Sequence, residues 1–332
     1  MAILVTGAAG FIGSETSRAL LARGEAVVGI DNLNDYYDPA LKHARLDRIS
    51  GESGKAFTFE KLDFADAEAL ADLAGRHKID RIVHLGAQAG VRYSLDNPGA
   101  YVRSNLVGHC NMIELARRLG SPHMVYASSS SVYGGNTSLP FRVEDRVDRP
   151  LSLYAATKKS DELLSESYAS IHRVPLTGLR FFTVYGPWGR PDMVMFIFTK
   201  ALFEGRPLPL FNRGAMKRDF TYIDDVVKGV VACLDSPPLD NGSEKAGGSV
   251  SPHAIYNIGN SHSEELSRVI EVLEKATGKT AILDPLPMQI GDVAQTFADI
   301  SAIERDHGFH PSTSIDEGIP RLVAWYRGHY GV

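Results

Sequence analysis

Seven residues near the start of the chain, Gly7-Ala8-Ala9-Gly10-Phe11-Ile12-Gly13, narrow the choice of fold more than any other stretch. They follow the β-branched run Ile3-Leu4-Val5 without a spacer and open a helix-like segment. A strand that turns through glycines into a helix lets backbone N–H groups approach a pyrophosphate at the positive end of the helix dipole. A glycine triplet alone more often marks an ordinary turn. The strand before it and the helix after it are what make Gly7, Gly10, Phe11, Ile12 and Gly13 a dinucleotide-binding candidate.

The remainder of the sequence agrees with that start. Short apolar runs at 3–5, 26–30, 57–62, 81–85, 123–127 and 176–180 alternate with helical stretches, the rhythm of βαβ crossovers and a parallel sheet. Most of these runs are apolar without alternation, as expected where helices cover both faces of the sheet. The expected fold is α/β, a Rossmann-type doubly wound parallel sheet over 1–185, with a smaller C-terminal substrate lobe over 186–332 that partly returns to the sheet. Helices are expected near 193–204, 263–277 and 316–327. Between 236 and 253 the composition turns to Pro, Gly, Ser, Asp and Asn, too polar to hold a core, which predicts an exposed, mobile loop. With 332 residues, 44% of them apolar, the chain has enough core for both parts.

Asp31 ends the second strand, where its carboxylate can accept from the adenosine ribose hydroxyls and repel a 2'-phosphate, so NAD is favoured over NADP. Asn32 follows it, where a basic residue would point to the phosphorylated cofactor. Leu85, Gly86, Ala87 and Gln88 end the fourth strand beside the cofactor, and Asn105 is placed with the same set. Asp63, after the third strand, can serve the adenine amino group or equally cap a helix.

Tyr154 and Lys158 are i, i+4 neighbours near a helix start, so they share a face. A nearby ammonium lowers the pKa of a phenol, which is what a tyrosine needs to act as a base near neutral pH. Ser129 lies 25 residues earlier, in Ser128-Ser129-Ser130-Ser131-Val132-Tyr133-Gly134, where the fifth strand ends. Ligands bind at that end of such a sheet, so Ser129 is the candidate proton-bridging hydroxyl.

On these residues, and on the GxxGxxG spacing of the first turn, the chain resembles the extended short-chain dehydrogenase/reductase family over nearly its whole length. Within that family it is similar to the UDP-glucuronate 4-epimerases. The motifs that carry this likeness are Gln88-Ala89-Gly90-Val91-Arg92-Tyr93-Ser94, Ser152 to Lys158, Arg180 to Arg190 and Arg218 to Asp225. The resemblance implies that Arg218 binds the UDP diphosphate, that Phe211 and Asn212 lie by the uracil, and that Asp292 reaches the uridine ribose. Relatives that remove water carry Asp-Glu before Val-Tyr-Gly, and decarboxylating relatives carry Glu there; this chain has Ser130 and Ser131. Thr183 stands where galactose-type epimerases carry Asn, and can make room for a C5 carboxylate with Ser130 and with Arg190 as an anion partner.

The expected reaction is therefore NAD-dependent C4 epimerisation of UDP-glucuronate to UDP-galacturonate through a 4-keto sugar. UDP-glucose 4-epimerisation and UDP-glucuronate decarboxylation are the alternatives within enzymes. A non-catalytic NAD(H) sensor is the alternative outside them, disfavoured because a sensor has no use for Ser129, Tyr154 and Lys158. No metal site is expected, since Cys110 and Cys233 lie far apart without ligand spacing and are expected to be buried free thiols. The net charge of -5, with both signs interspersed, offers no basic stripe for nucleic acid or a membrane surface. Met1 leads straight into a strand and no run approaches about 18 apolar residues, so the expectation is a cytoplasmic enzyme. Helices near 98–119 and 152–172 carry enough apolar residues for a shared four-helix interface, and hence a homodimer.

Overall fold

The computed structural model of the protein describes residues 1–120, 122–289 and 291–332, so Ile290, inside the 286–292 stretch, lies outside the described residues. The chain opens with β1 (Ala2–Thr6), α1 (Phe11–Ala22), β2 (Val27–Asp31), α2 (Pro39–Ser53), β3 (Phe57–Lys61), α3 (Ala67–Arg76) and β4 (Ile79–His84). Two short helices, α4 (Tyr93–Asp96) and α5 (Pro98–Tyr101), run through a π-helical stretch (Val102–Val107) into α6 (Gly108–Arg118). Then come β5 (His123–Ser129), α7 (Leu153–His172) and β6 (Leu176–Phe181). The rest comprises β7 (Thr183–Tyr185), α8 (Val194–Glu204), β8 (Leu208–Leu210), β9 (Lys217–Tyr222), α9 (Ile223–Asp235), β10 (His253–Ile258), β11 (Ser263–Glu265), α10 (Leu266–Thr277), β12 (Leu283–Pro285), α11 (Ser301–His307) and α12 (Ile315–Tyr330).

Seven strands form one parallel sheet in the order β10-β6-β5-β4-β1-β2-β3, the doubly wound arrangement expected from the sequence. The chain reverses direction across the sheet between β1 and β4, and a ligand crevice opens outside the strand ends at such a point. Successive strand residues feed opposite faces. Ile3, Val5, Val83 and Val125 join one core with α8, α9, α10 and α12, while Leu4, Ile82, Met124 and Tyr126 join the other with α3, α6 and α7. Each fully buried aliphatic side chain contributes roughly 1.5–3 kcal/mol relative to exposure. This two-sided burial explains why the strands read as continuous apolar runs.

The sheets β11-β9-β7 and β12-β8 build the C-terminal part, and its core residues Phe198, Phe220, Val269 and Leu322 are continuous with the first face of the large sheet. The seventh strand, β10, begins where the polar stretch ends and is buried along its whole length. The expected mobile loop is correct in lacking helix or strand over 236–252, but it is not loose throughout. Ala246 is buried and its carbonyl accepts from Ile255 N at 2.9 Å, and Ser249 Oγ donates to Glu166 at 2.9 Å. The expectation of two buried thiols holds for Cys233 only, as Cys110 is half-buried. No described helix is long and apolar enough to cross a membrane.

Candidate active site

The crevice at the carboxyl ends of β1, β2, β4, β5 and β6 is a cavity of about 540 Å³, within the range of small-molecule sites. Its dinucleotide end is made by the first turn. Gly7 has φ of +68°, and a Cβ there would stand 2.8 Å from Gly86 N; a Cβ on Gly13 would stand 2.1 Å from Gly7 O. Backbone therefore packs on backbone with no room for a methyl group, which lets the turn come close to a bound pyrophosphate. Gly10, Phe11, Ile12, Leu85, Gly86, Ala87 and Gln88 line the same end, and Thr6 Oγ1 accepts from Gly86 N at 2.9 Å.

Asp31 and Asn32 also line it. Asp31 Oδ1 accepts from Leu33 N at 2.8 Å and lies 3.9 Å from Lys42 Nζ, which donates to Asn34 at 2.8 Å. Lys42 was not singled out in the sequence, because it sits eleven residues from Asp31 with no motif around it. These groups fit NAD, with a carboxylate at the strand end where ribose hydroxyls would lie and a glycine floor for the diphosphate.

Three residues assigned to ligands stand apart from the cavity. Asp63 is turned into an Asx turn and an ion pair, accepting from Ala65 N at 2.9 Å and from Arg103 at 3.1 Å; the helix cap is Asp66. Asn105 is buried beneath the cofactor end. It clasps Gln88 N and O at 2.8 and 3.0 Å and Thr157 Oγ1 at 3.0 Å, and so ties the end of β4 to α7. Asn212 spends its amide on Ala215 O at 2.8 Å.

The catalytic candidates do converge. Ser152 caps α7 by accepting from Ala155 N at 3.1 Å, which starts the helix one residue before Tyr154. Tyr154 and Lys158 line the cavity, and the Tyr154 ring meets Tyr101 edge-on at 6.0 Å. Lys158 is buried and donates to Ala127 O at 2.9 Å and Asp161 Oδ2 at 3.0 Å. Ser129 ends β5 beside Phe181, and its hydroxyl accepts from Ser131 N at 3.1 Å. Ser130, Ser131 and Thr183 line the wall around it. That wall has a buried brace: Arg180 grips Glu162 at 2.8 and 3.0 Å, and Glu162 accepts from Ser128 Oγ at 2.7 Å.

At the far end lie Phe211, Arg218 and Asp292. Burial pulls the Arg218 guanidinium below its usual range, and the carboxylate it faces at 3.9 Å, Asp292, is shared with Arg92, which leaves positive charge in excess at this end. Arg92 reaches over from the opposite lobe, 4.7 Å above the Phe211 ring and 4.0 Å from Asp292. Arg190 lines the cavity too, but the expected free anion partner is already engaged: its Nε donates to Asp192 at 3.0 Å, and Tyr36 donates to the same carboxylate at 3.1 Å.

Residues 3–259 match the NAD dependent epimerase/dehydratase family. The chain belongs to that family. It is 48% identical over 339 residues to a probable UDP-glucuronate 4-epimerase of Rhizobium meliloti, covering 99% of this chain and 98% of the relative. It is 45% identical to UDP-glucuronate 4-epimerase 1 of Arabidopsis thaliana, covering 100% of this chain and 78% of that protein. Its structure is similar to the crystal structure of UDP-glucuronic acid 4-epimerase from Bacillus cereus in complex with UDP-glucuronic acid and NAD. There the TM-score is 0.87 and the identity 34%, over 99% of this chain and 100% of that one. In this epimerase/dehydratase-family protein the glycine turn, Tyr154, Lys158 and the serine wall thus share one cavity.

Proposed function

We propose that this protein interconverts UDP-glucuronate and UDP-galacturonate by NAD-dependent epimerisation at C4. The reading rests on the carboxylates of the cavity. Among the described residues they are Asp31, Asp192 and Asp292, and each is engaged: Asp31 by Leu33 N near Lys42, Asp192 by Arg190 and Tyr36, Asp292 between Arg92 and Arg218. None stands on the serine wall, so no acid is supplied there for loss of water or of carbon dioxide. The relatives named above support the same substrate.

The glycine turn, Asp31 and Asn32 would hold NAD, which would supply the hydride acceptor and donor for C4. Tyr154 takes the proton of the sugar 4-OH, directly or through Ser129, as hydride leaves C4, and returns it to O4 when the turned sugar receives hydride on the other face of C4. Lys158, fixed by Ala127 O and Asp161, lines the same cavity one helical turn on from Tyr154. Arg218, Phe211 and Asp292 anchor the UDP, and the 4-keto sugar, uncharged at C4, turns about its link to the diphosphate. Ser130 and Thr183 hold the C5 carboxylate in the sugar plane, away from the alignment with the ketone that favours decarboxylation.

Residues 1–185 accordingly carry the dinucleotide and 186–332 mainly the UDP-sugar. The protein acts as a homodimer through the exposed apolar residues of 102–107 and α7, and its two free thiols suit a cytoplasmic setting. The test is an NMR product assay on UDP-glucuronate with no added NAD. We expect UDP-galacturonate. Release of carbon dioxide instead, or turnover confined to UDP-glucose, overturns the reading.

A further inference from the structure

Behind Lys158, on the side away from the cavity, lies a group of buried ionisable side chains that the reaction above does not use. Asp161 is fully buried and bonds Lys158 Nζ through Oδ2 at 3.0 Å, while its Oδ1 has no partner among the described residues. A buried carboxylate with one unpaired oxygen is costly and calls for an explanation. The groups that face it are Lys158 and Glu162 from α7, His109 from α6 and Tyr126 from β5, with His84 from β4 beside Lys158. Glu162 is spent on Arg180 and Lys159. Burial pulls His84 down to about 3 and His109 well below its usual value, so both rings are neutral. Lys158 and Asp161 are thus an ion pair with no competing partner for the carboxylate side chain among the described residues.

The base of an epimerase must take a proton and return it within one turnover, so its basicity has to be matched to both steps. We infer that Asp161 sets the basicity of Tyr154 through Lys158: its carboxylate offsets part of the ammonium charge, so the phenol holds its proton more firmly than beside an unpaired lysine. Asp161 is a positioning residue here, acting only through Lys158. The inference rests on the proposed role of Tyr154 as base. Burial raises the Asp161 carboxyl to about 6, so the offset is complete above that pH and fades below it.

The test is an ultraviolet difference titration of the NAD-loaded protein, in which the tyrosinate signal of Tyr154 is isolated from the other twelve tyrosines by subtracting Y154F in each background. D161N keeps the hydrogen bond to Lys158 and removes the charge. We expect its tyrosinate midpoint to fall by at least about half a pH unit, roughly threefold in the phenolate ratio. We expect the acid limb of kcat/KM on UDP-glucuronate to move the same way and plateau kcat to drop by up to about threefold, with KM within about twofold. D161S, small, polar and uncharged, serves if D161N does not fold, and should show the same fall. A midpoint unchanged or raised in a folded variant overturns the inference, because a purely structural role lowers the melting temperature without moving the titration. If the wild type does not turn over UDP-glucuronate, the substrate reading fails while the titration still decides the role of Asp161.

Discussion

At the scale of single residues, the site makes each side chain answerable to one measurement. Tyr154→Phe should cut turnover by about 10²–10⁴ with NAD still bound, the span a positioned acid–base group contributes; near-wild-type turnover removes Tyr154 as the base. Thr183→Val, which keeps the branch and loses the hydroxyl, should narrow the preference for UDP-glucuronate over UDP-glucose by about tenfold in kcat/KM. Stability should also carry a pH signature. His84, His109 and His123 are buried as neutral bases, with burial pulling His123 to about 4. Unfolding lets each bind a proton at its ordinary value near 6.5, so the unfolded state gains protons and stability falls as pH drops from 6.5 towards 4. For His123 this amounts to about 3 kcal/mol. Asp161 and Asp219, raised to about 6 by burial, work in the opposite sense between pH 6 and 4 because they stay protonated in the fold. Three groups against two leave a net loss, which should appear as a melting temperature several degrees lower at pH 4.5 than at pH 7.

At the scale of elements, legibility followed the range of the physics involved. The strand-turn-helix of 2–22 was readable because its cause is local: a β-branched run, glycines where no Cβ fits, then a helix. The i, i+4 pairing of Tyr154 and Lys158 needed only helix geometry. By contrast, Asp161 is seven residues past Tyr154 on the same helix and gives no signal until α6 and β5 close over it. The partners of Asp63 and Arg190 were hidden for a related reason: a charged residue at a strand end or in a motif advertises its own type but not the Arg103 or Asp192 that pairs with it. β10 was hidden by the polar stretch before it, since its place in the sheet is set by pairing with β6, some 75 residues earlier in sequence. The first turn allows a direct test of the local argument. Gly13→Ala should weaken NAD binding at least about tenfold and cost about 1–3 kcal/mol of stability, because the new methyl meets Gly7 O and the turn must shift. Calorimetric titration of the apoprotein with NAD, beside a thermal melt, reads both effects.

At the scale of the whole molecule, α7 carries catalytic candidates on one face and exposed apolar side chains on the other. One face carries Lys158, Asp161, Glu162 and Ser165 into the interior, and the opposite face leaves Leu163 59% and Ile171 69% exposed. Val102 and Val107 of the neighbouring π-helical stretch are exposed at 44% and 47%. Apolar side chains on two adjoining helices are the kind of surface a second copy covers, and covering them would hold the helix that carries Tyr154 from its outer side. The double variant Leu163→Glu/Ile171→Glu puts two like charges into that surface and touches nothing in the cavity. Light scattering should report a monomer for this variant and a dimer for the wild type. If the outer contact steadies α7, the monomer should also lose kcat by a few-fold, while its affinity for UDP, read at Arg218 and Phe211 on the other lobe, stays within about twofold. A monomeric wild type would sink the assembly and leave the cavity chemistry intact, because the glycine turn, Ser129, Tyr154, Lys158 and Arg218 already share that cavity within one chain.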